Sequence, residues 1–189
     1  NKDRTDRALI VSDMESGPGR AIMGAVKFPS MRAVAETGDP QLAYDMGKIA
    51  AQEARAVGYH WTFGPCVDIV GNYKNPIVNI RTAGDEPETV IEYGGMYMSG
   101  LLDNGLYATL KHFPGDGYSD YDQHLTVTNN PLSRTEWDAT FGKVYTKLID
   151  SGAPAIMPGH ISLPAYDEID AETGLYPPAT VSKGPLTGL

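Results

Sequence analysis

The sequence predicts an α/β protein built as a partial (β/α)8 barrel, with about four βα units present. Four short apolar runs each stop abruptly at polar, charged or glycine-rich residues. They are Ala8–Val11, His60–Phe63, Tyr107–Leu110 and Ala155–Met157. Their starts at 8, 60, 107 and 155 lie 52, 47 and 48 residues apart. Helical stripes fill the intervals, and strand, loop, helix and strand at a near-constant period mark parallel β/α architecture.

Short continuous apolar runs suit strands covered on both faces, as in parallel sheets. The first run leads into Ser12-Asp13. The first long helix is predicted after Asp39-Pro40, an N-cap followed by proline at the first helical position, with Leu42, Met46, Ile49, Ala50 and Val57 at helical spacing. The second run ends at Gly64-Pro65. Val90, Ile91, Gly94, Tyr97, Met98, Leu101 and Leu102 make a second stripe. Asp85-x-x-Glu88 reads as its capping box, and Asn104-Gly105 as its end. The third run meets Lys111-His112. Trp137, Phe141, Val144, Tyr145, Leu148 and Ile149 then form a third stripe, opened by Ser133-x-x-Glu136 and closed by Gly152. The fourth run ends at Pro158-Gly159-His160. These stripes read as core faces rather than sites.

An eight-fold barrel allots ~30 residues per unit, so the longer period implies extra loops. The segments 66–84, 114–132 and 161–180 supply them, after the strand C-termini where such folds place their chemistry. Four strands taken from a closed barrel leave two bare edges. Residues 1–189 therefore read as one fragment of a barrel domain, with the remainder of its own barrel as its missing partner. The rival architecture is a complete four- or five-strand open sheet.

The 189 residues are 41% hydrophobic and 21% charged, the balance of a globular chain. No apolar run approaches the ~18 residues of a membrane span, so no membrane contact is expected. Asn1 to Arg7 are charged and lack the apolar core of a signal peptide. The net charge of −9 is spread along the chain and would repel a phosphate backbone, which argues against nucleic acid. A single cysteine, Cys66, excludes an intrachain disulfide and a multi-cysteine zinc site.

The most informative stretch runs from Lys111 to His124. Lys111 and His112, at a strand exit, point into the barrel mouth, where ammonium and imidazole groups can hydrogen-bond a polar ligand. Pro114-Gly115-Asp116-Gly117 is a turn. Asp122-x-His124 would set a carboxylate and an imidazole on the same side of an extended segment. The carboxylate could then accept one ring N–H and leave the other nitrogen to move a proton. From residue types alone, a solvated loop pair and a catalytic dyad both remain open.

In this order the motifs resemble the β-N-acetylglucosaminidase branch of glycoside hydrolase family 3. The branch carries Lys-His-Phe-Pro-Gly-x-Gly followed by Asp-x-His at this spacing. Leu9-Ile10-Val11-Ser12-Asp13-Met14-Glu15, with Gly19-Arg20, resembles its second-strand segment. Phe63-Gly64-Pro65-Cys66-Val67-Asp68 resembles its Phe-Ala-Pro-x-x-Asp strand. Asn79 to Glu88 resembles its Arg-Ser-Phe-Gly-x-Asp-Pro-Glu run, and Met157-Pro158-Gly159-His160 its Met-Pro-Ala-His. Two departures stand out: Asp116 where many members have histidine, and the longer Ser16-Gly17-Pro18-Gly19 before Arg20.

The resemblance implies a retaining glycosidase that removes terminal β-linked N-acetylglucosamine. His124 would be the acid/base, oriented by Asp122. Asp13, Arg20, Arg81, Lys111, His112 and His160 would bind the substrate, and Asp68 would be structural. A carbohydrate is the expected partner, and no cofactor or metal is called for. The nucleophilic aspartate is expected on the next strand, beyond Leu189, so these 189 residues alone would be inactive. Because a neutral imidazole does not repel an anion, phosphate could replace water in the second step. The alternatives are a β-glucosidase of the same family and a metal-dependent hydrolase. The latter could draw on His112, Asp116, Asp120, Asp122, His124 and His160, although neither His-x-His nor His-Glu-x-x-His occurs.

Overall fold

A computed structural model describes residues 8–189; the charged opening, Asn1 to Arg7, lies outside them. The strands are β1 (Val11–Ser12), β2 (Trp61–Thr62), β3 (Leu110–Phe113), β4 (Thr128–Asn129), β5 (Ile156–Pro158) and β6 (Ile161–Ser162). The helices are α1 (Met31–Ala35), α2 (Pro40–Ala56), α3 (Pro87–Asp103), α4 (Arg134–Trp137), α5 (Lys143–Asp150) and α6 (Lys183–Gly188). No helix of the described residues is long and apolar enough to cross a membrane.

Four strands lie side by side and parallel in the order β1-β2-β3-β5. Val11 pairs with Trp61, and Leu110 with Ile156. Bridges Trp61–Tyr107 and Cys66–Lys111 join β2 to the β3 segment. β3 has neighbours on both sides and is buried throughout. Burial of the outer runs departs from expectation: Leu9, Ile10 and Ile156 are exposed. Among the described residues β1 and β5 each have a ladder partner on one side only, which leaves those edges uncovered. The third run is also shifted, since β3 begins at Leu110 and carries Lys111 and His112 inside the strand. The ladder slips between Lys111 and Phe113, and a bulge of this kind re-aims side chains.

The sequence signals at the helix starts mostly hold. The Asp39 side chain accepts from the Gln41 N–H at 3.0 Å, with Pro40 at the first helical position. Ser133 and Glu136 form the reciprocal capping box. The box expected at Asp85 and Glu88 does not form. Glu86 is the N-cap, it makes no side-chain cap bond, and Pro87 opens α3. The third stripe is one helical stretch interrupted by a π-turn at Asp138–Gly142. There the Thr140 hydroxyl donates to Glu136 O at 2.7 Å, occupying the carbonyl its own amide would use in a regular helix.

α2 and α3 pack backbone to backbone. A Cβ on Gly47 would stand 2.2 Å from Tyr97 O, and one on Gly100 would stand 2.1 Å from Tyr44 O, so neither position admits a side chain. This packing fixes Tyr97, whose hydroxyl donates to Met14 O at 2.6 Å and anchors the exit of β1. On the other flank the Trp137 indole N–H donates to Pro114 O at 2.7 Å and anchors the exit of β3. The last two long loops are joined by their own parallel pair, β4 with β6.

Candidate active site

The strand exits and the loops above them enclose a cavity of about 450 Å³. It is lined by Asp13, Glu15, Arg20, Arg81, Lys111, His112, Gln123, His124, Met157, Pro158, Gly159 and His160. Seven residues singled out in the sequence meet here: Asp13, Arg20, Arg81, Lys111, His112, His124 and His160. The eighth, Asp122, does not line the cavity and reaches it through His124.

One wall is an ionic network that the sequence reading did not anticipate. Met14 is fully buried, so Asp13 and Glu15 on either side of it both face the cavity. Lys111 Nζ lies 2.5 Å from Asp13 Oδ1 and 2.5 Å from Glu15 Oε1. Arg81 closes the network with Nε at 3.0 Å from Glu15 Oε2 and a second nitrogen at 2.8 Å from Oε1. Burial pushes the Glu15 carboxyl up, but the Arg81 hydrogen bonds and the charges of Lys111 and Arg81 outweigh it and bring the pKa down to about 2. The same pairing raises the pKa of Arg81 against its own burial. Two carboxylates two residues apart at a strand exit were the available signal for Glu15.

The floor is organised by Asp68. Its Oδ1 accepts the backbone N–H of His112 at 3.0 Å and of Asp116 at 2.8 Å. Its Oδ2 takes His112 Nδ1 at 2.7 Å and the Cys66 thiol at 3.2 Å. Burial would raise the Asp68 carboxyl, yet His112 and these hydrogen bonds hold it below its ordinary value. An acceptor-only carboxylate fixes the Nδ1–H tautomer, so His112 presents Nε2 to the cavity. Cys66, Asp68 and His112 are also the group among the described residues whose ligand atoms lie within 4.8 Å of one another. All three already spend those atoms on one another.

The roof is the turn carrying the dyad. His124 Nδ1 lies 2.6 Å from Asp122 Oδ1, and the same oxygen accepts the His124 backbone N–H at 2.8 Å. The segment is a tight turn rather than the expected extended stretch, because Asp122 O also accepts from the Leu125 and Thr126 N–H groups. These bonds hold the Asp122 carboxyl below its ordinary value, the backbone N–H of His124 contributing most. An ionised acceptor on Nδ1 leaves His124 Nε2 to exchange a proton with a ligand. Gln123, between them, turns inward, and His160 Nδ1 stands 3.2 Å from Thr180 Oγ1.

Loop 66–84 is stitched to loop 114–132 beneath the dyad. Asn75 Nδ2 donates to Asp116 Oδ1 and to Ser119 O, both at 2.9 Å. Burial and the charge of Asp68 raise the Asp116 carboxyl, although three hydrogen bonds oppose the shift.

Residues 2–189 match the glycosyl hydrolase family 3 N-terminal domain. The chain belongs to this family. It is 42% identical to a beta-N-acetylglucosaminidase/beta-glucosidase from Cellulomonas fimi over 84% of its own length and 28% of that protein's. Among solved structures it resembles a beta-glucoside phosphorylase, BglX, bound to 2FGlc. That match has a TM-score of 0.91 at 36% identity and covers 100% of this chain and 35% of the other. It also resembles a glycoside hydrolase family 3 beta-N-acetylglucosaminidase from Paenibacillus sp. str. FPU-7. There the TM-score is 0.83 at 34% identity, with 92% of this chain and 32% of the other covered. The family 3 chain thus spans about a third of the length of these relatives, and its α/β fold is that of the family's N-terminal domains.

Proposed function

We propose that the protein is a retaining β-N-acetylhexosaminidase in which His124, steered by Asp122, is the acid/base. The observation that carries this reading is the shared cavity. The imidazole of the dyad and the Lys111-His112 tip of β3 line the same space of about 450 Å³. Asp13, Arg20, Arg81, Lys111, His112 and His160 grip the sugar hydroxyls, with Glu15 holding the two cations in place. His124 Nε2 gives its proton to the leaving glycosidic oxygen as a carboxylate attacks the anomeric carbon, and later takes a proton from the incoming water. Asp13 and Glu15 are engaged with Lys111 or Arg81, and the attacking carboxylate is the aspartate that the family resemblance places on the strand that follows. The 189 residues are part of a (β/α)8 barrel. The bare side of β5 supports this, and beside it lies an apolar cleft of about 570 Å³ lined by Phe113, Tyr145, Ile156, Pro185 and Leu186.

The test is turnover of an aryl N-acetyl-β-glucosaminide beside an aryl β-glucoside by the full-length protein. Preference for the N-acetyl substrate is expected; preference for the glucoside would instead support a β-glucosidase.

Phosphorolysis is the second reading, favoured by similarity to a protein named as a beta-glucoside phosphorylase. A phosphate oxygen would attack the glycosyl-enzyme at the anomeric carbon, expel the enzyme carboxylate and yield a glycosyl phosphate. A neutral imidazole in place of a second carboxylate lowers the repulsion against that anion. Product analysis in phosphate and in phosphate-free buffer separates the two, and equal rates with free sugar alone remove phosphorolysis.

A further inference from the structure

Gln123 lies between the two residues of the dyad, yet its side chain runs the other way. It is 4% exposed, whereas the His124 side chain is 62% exposed. Its carboxamide is used at both ends. Nε2 donates to Asp116 Oδ2 at 2.8 Å, and Oε1 accepts the backbone N–H of His160 at 2.9 Å. A backbone N–H only donates and a carboxylate only accepts, so a single amide orientation satisfies both partners. Asp116 is itself immobilised. Its Oδ1 accepts from Gly117 N–H at 2.6 Å and Asn75 Nδ2 at 2.9 Å, and its own N–H donates to Asp68 Oδ1 at 2.8 Å. A Cβ on Gly159 would stand 2.8 Å from Gln123 Oε1 and 3.2 Å from His112 Cβ. The missing side chain at 159 is what makes room for the carboxamide.

We propose that Gln123 is a positioning residue, a two-ended staple that sets the height of the His124 turn above the floor of the cavity. One end is tied to the exit of β3 through Asp116, and the other to the link between β5 and β6 through His160. The buried carboxamide therefore does for the whole turn what Asp122 does for the imidazole ring. Its effect on turnover rests on the acid/base role given to His124 above; its effect on the turn does not.

The full-length protein tests both. Gln123→Glu keeps an acceptor for His160 but sets two carboxylates against each other, and Asp116→Asn sets one amide donor against another. Combined, they restore one donor and one acceptor with reversed polarity, while Oδ1 of residue 116 still accepts from Gly117 and Asn75. Each single change is expected to lower kcat on an aryl glycoside by about tenfold or more, with KM moving far less. The double variant is expected to return to within about threefold of the parent. Singles that turn over like the parent, or a double no better than the poorer single, would overturn the staple. Hydrogen exchange provides a readout independent of activity. Gln123→Ala and Gly159→Ala are expected to speed exchange at the His160 amide and across 122–126 by about tenfold, leaving α2 and α3 unchanged. Unchanged exchange overturns the staple. A parent without turnover removes the glycosidase reading alone.

Discussion

Lys111 Nζ and Glu15 Oε1 lie 2.5 Å apart, on side chains that are 3% and 9% exposed. The ammonium comes from β3 and the carboxylate from the exit of β1, with β2 between them. This pair therefore ties together strands that make no ladder with each other.

Glu15 should make the fold acid-labile. Its folded pKa of about 2 lies below the ordinary 4.5, so the stability it lends is complete above pH 4.5 and lost as the pH falls towards 2. The shift corresponds to on the order of 3 kcal/mol. Glu15→Gln should unfold earlier than the parent in urea at pH 7, with the gap narrowing below pH 4.5 and closing only as the pH approaches 2. A gap independent of pH would contradict the assignment.

Lys111→Met keeps much of the buried volume and removes the charge. Breaking a buried pair costs about 3–5 kcal/mol. A lower melting temperature and a KM raised more than kcat is lowered are expected; unchanged stability and kinetics would count against both roles of Lys111.

His124→Ala removes a largely exposed side chain, so the melting temperature should stay where it is. Turnover of substrates with poor leaving groups should fall ~10²–10⁴-fold, and that of activated aryl glycosides much less, since they need little protonation. Equal losses on both substrates would rule out a proton donor.

Asp122→Asn replaces the charged acceptor of the His124 ring by a neutral amide that can rotate. It should reproduce part of the His124→Ala loss, about tenfold in kcat, with KM little changed. Adding it to His124→Ala should cost almost nothing more, because the carboxylate acts through the ring. Additive losses would give Asp122 a separate role.

Much of this arrangement was legible in residue order. Pro40 after Asp39 and Glu136 after Ser133 are local signals, and local backbone chemistry decides helix starts. The same rule failed at Asp85 because Pro87 moved the start by one residue, leaving Glu86 as the cap. Of the seven cavity-lining residues, Lys111 and His112 could be named from a strand exit, and His124 from its spacing to Asp122. Asp13, Arg20, Arg81 and His160 were named through the resemblance to glycoside hydrolase family 3. Gln123 could not be named, and the one signal for Glu15, a second carboxylate two residues from Asp13, did not reveal its role. The roles of Glu15 and Gln123 depend on partners 96 and 37 residues away along the chain, Lys111 and His160. The bulge at His112 likewise belongs to the pairing of β3 with β5 and leaves no trace in composition.

Cys66 sits beneath the cavity, bridged to Lys111 through the backbone and bonded by its sulfur to Asp68. Burial first, and then the neighbouring carboxylates, push its thiol well above the ordinary range, so the reactive thiolate is suppressed while the floor stays shut. Cys66 is buried, so a thiol reagent can reach this sulfur only when the packing around it opens. Its labelling rate thus acts as a clock for the opening of the floor, one that runs without any substrate.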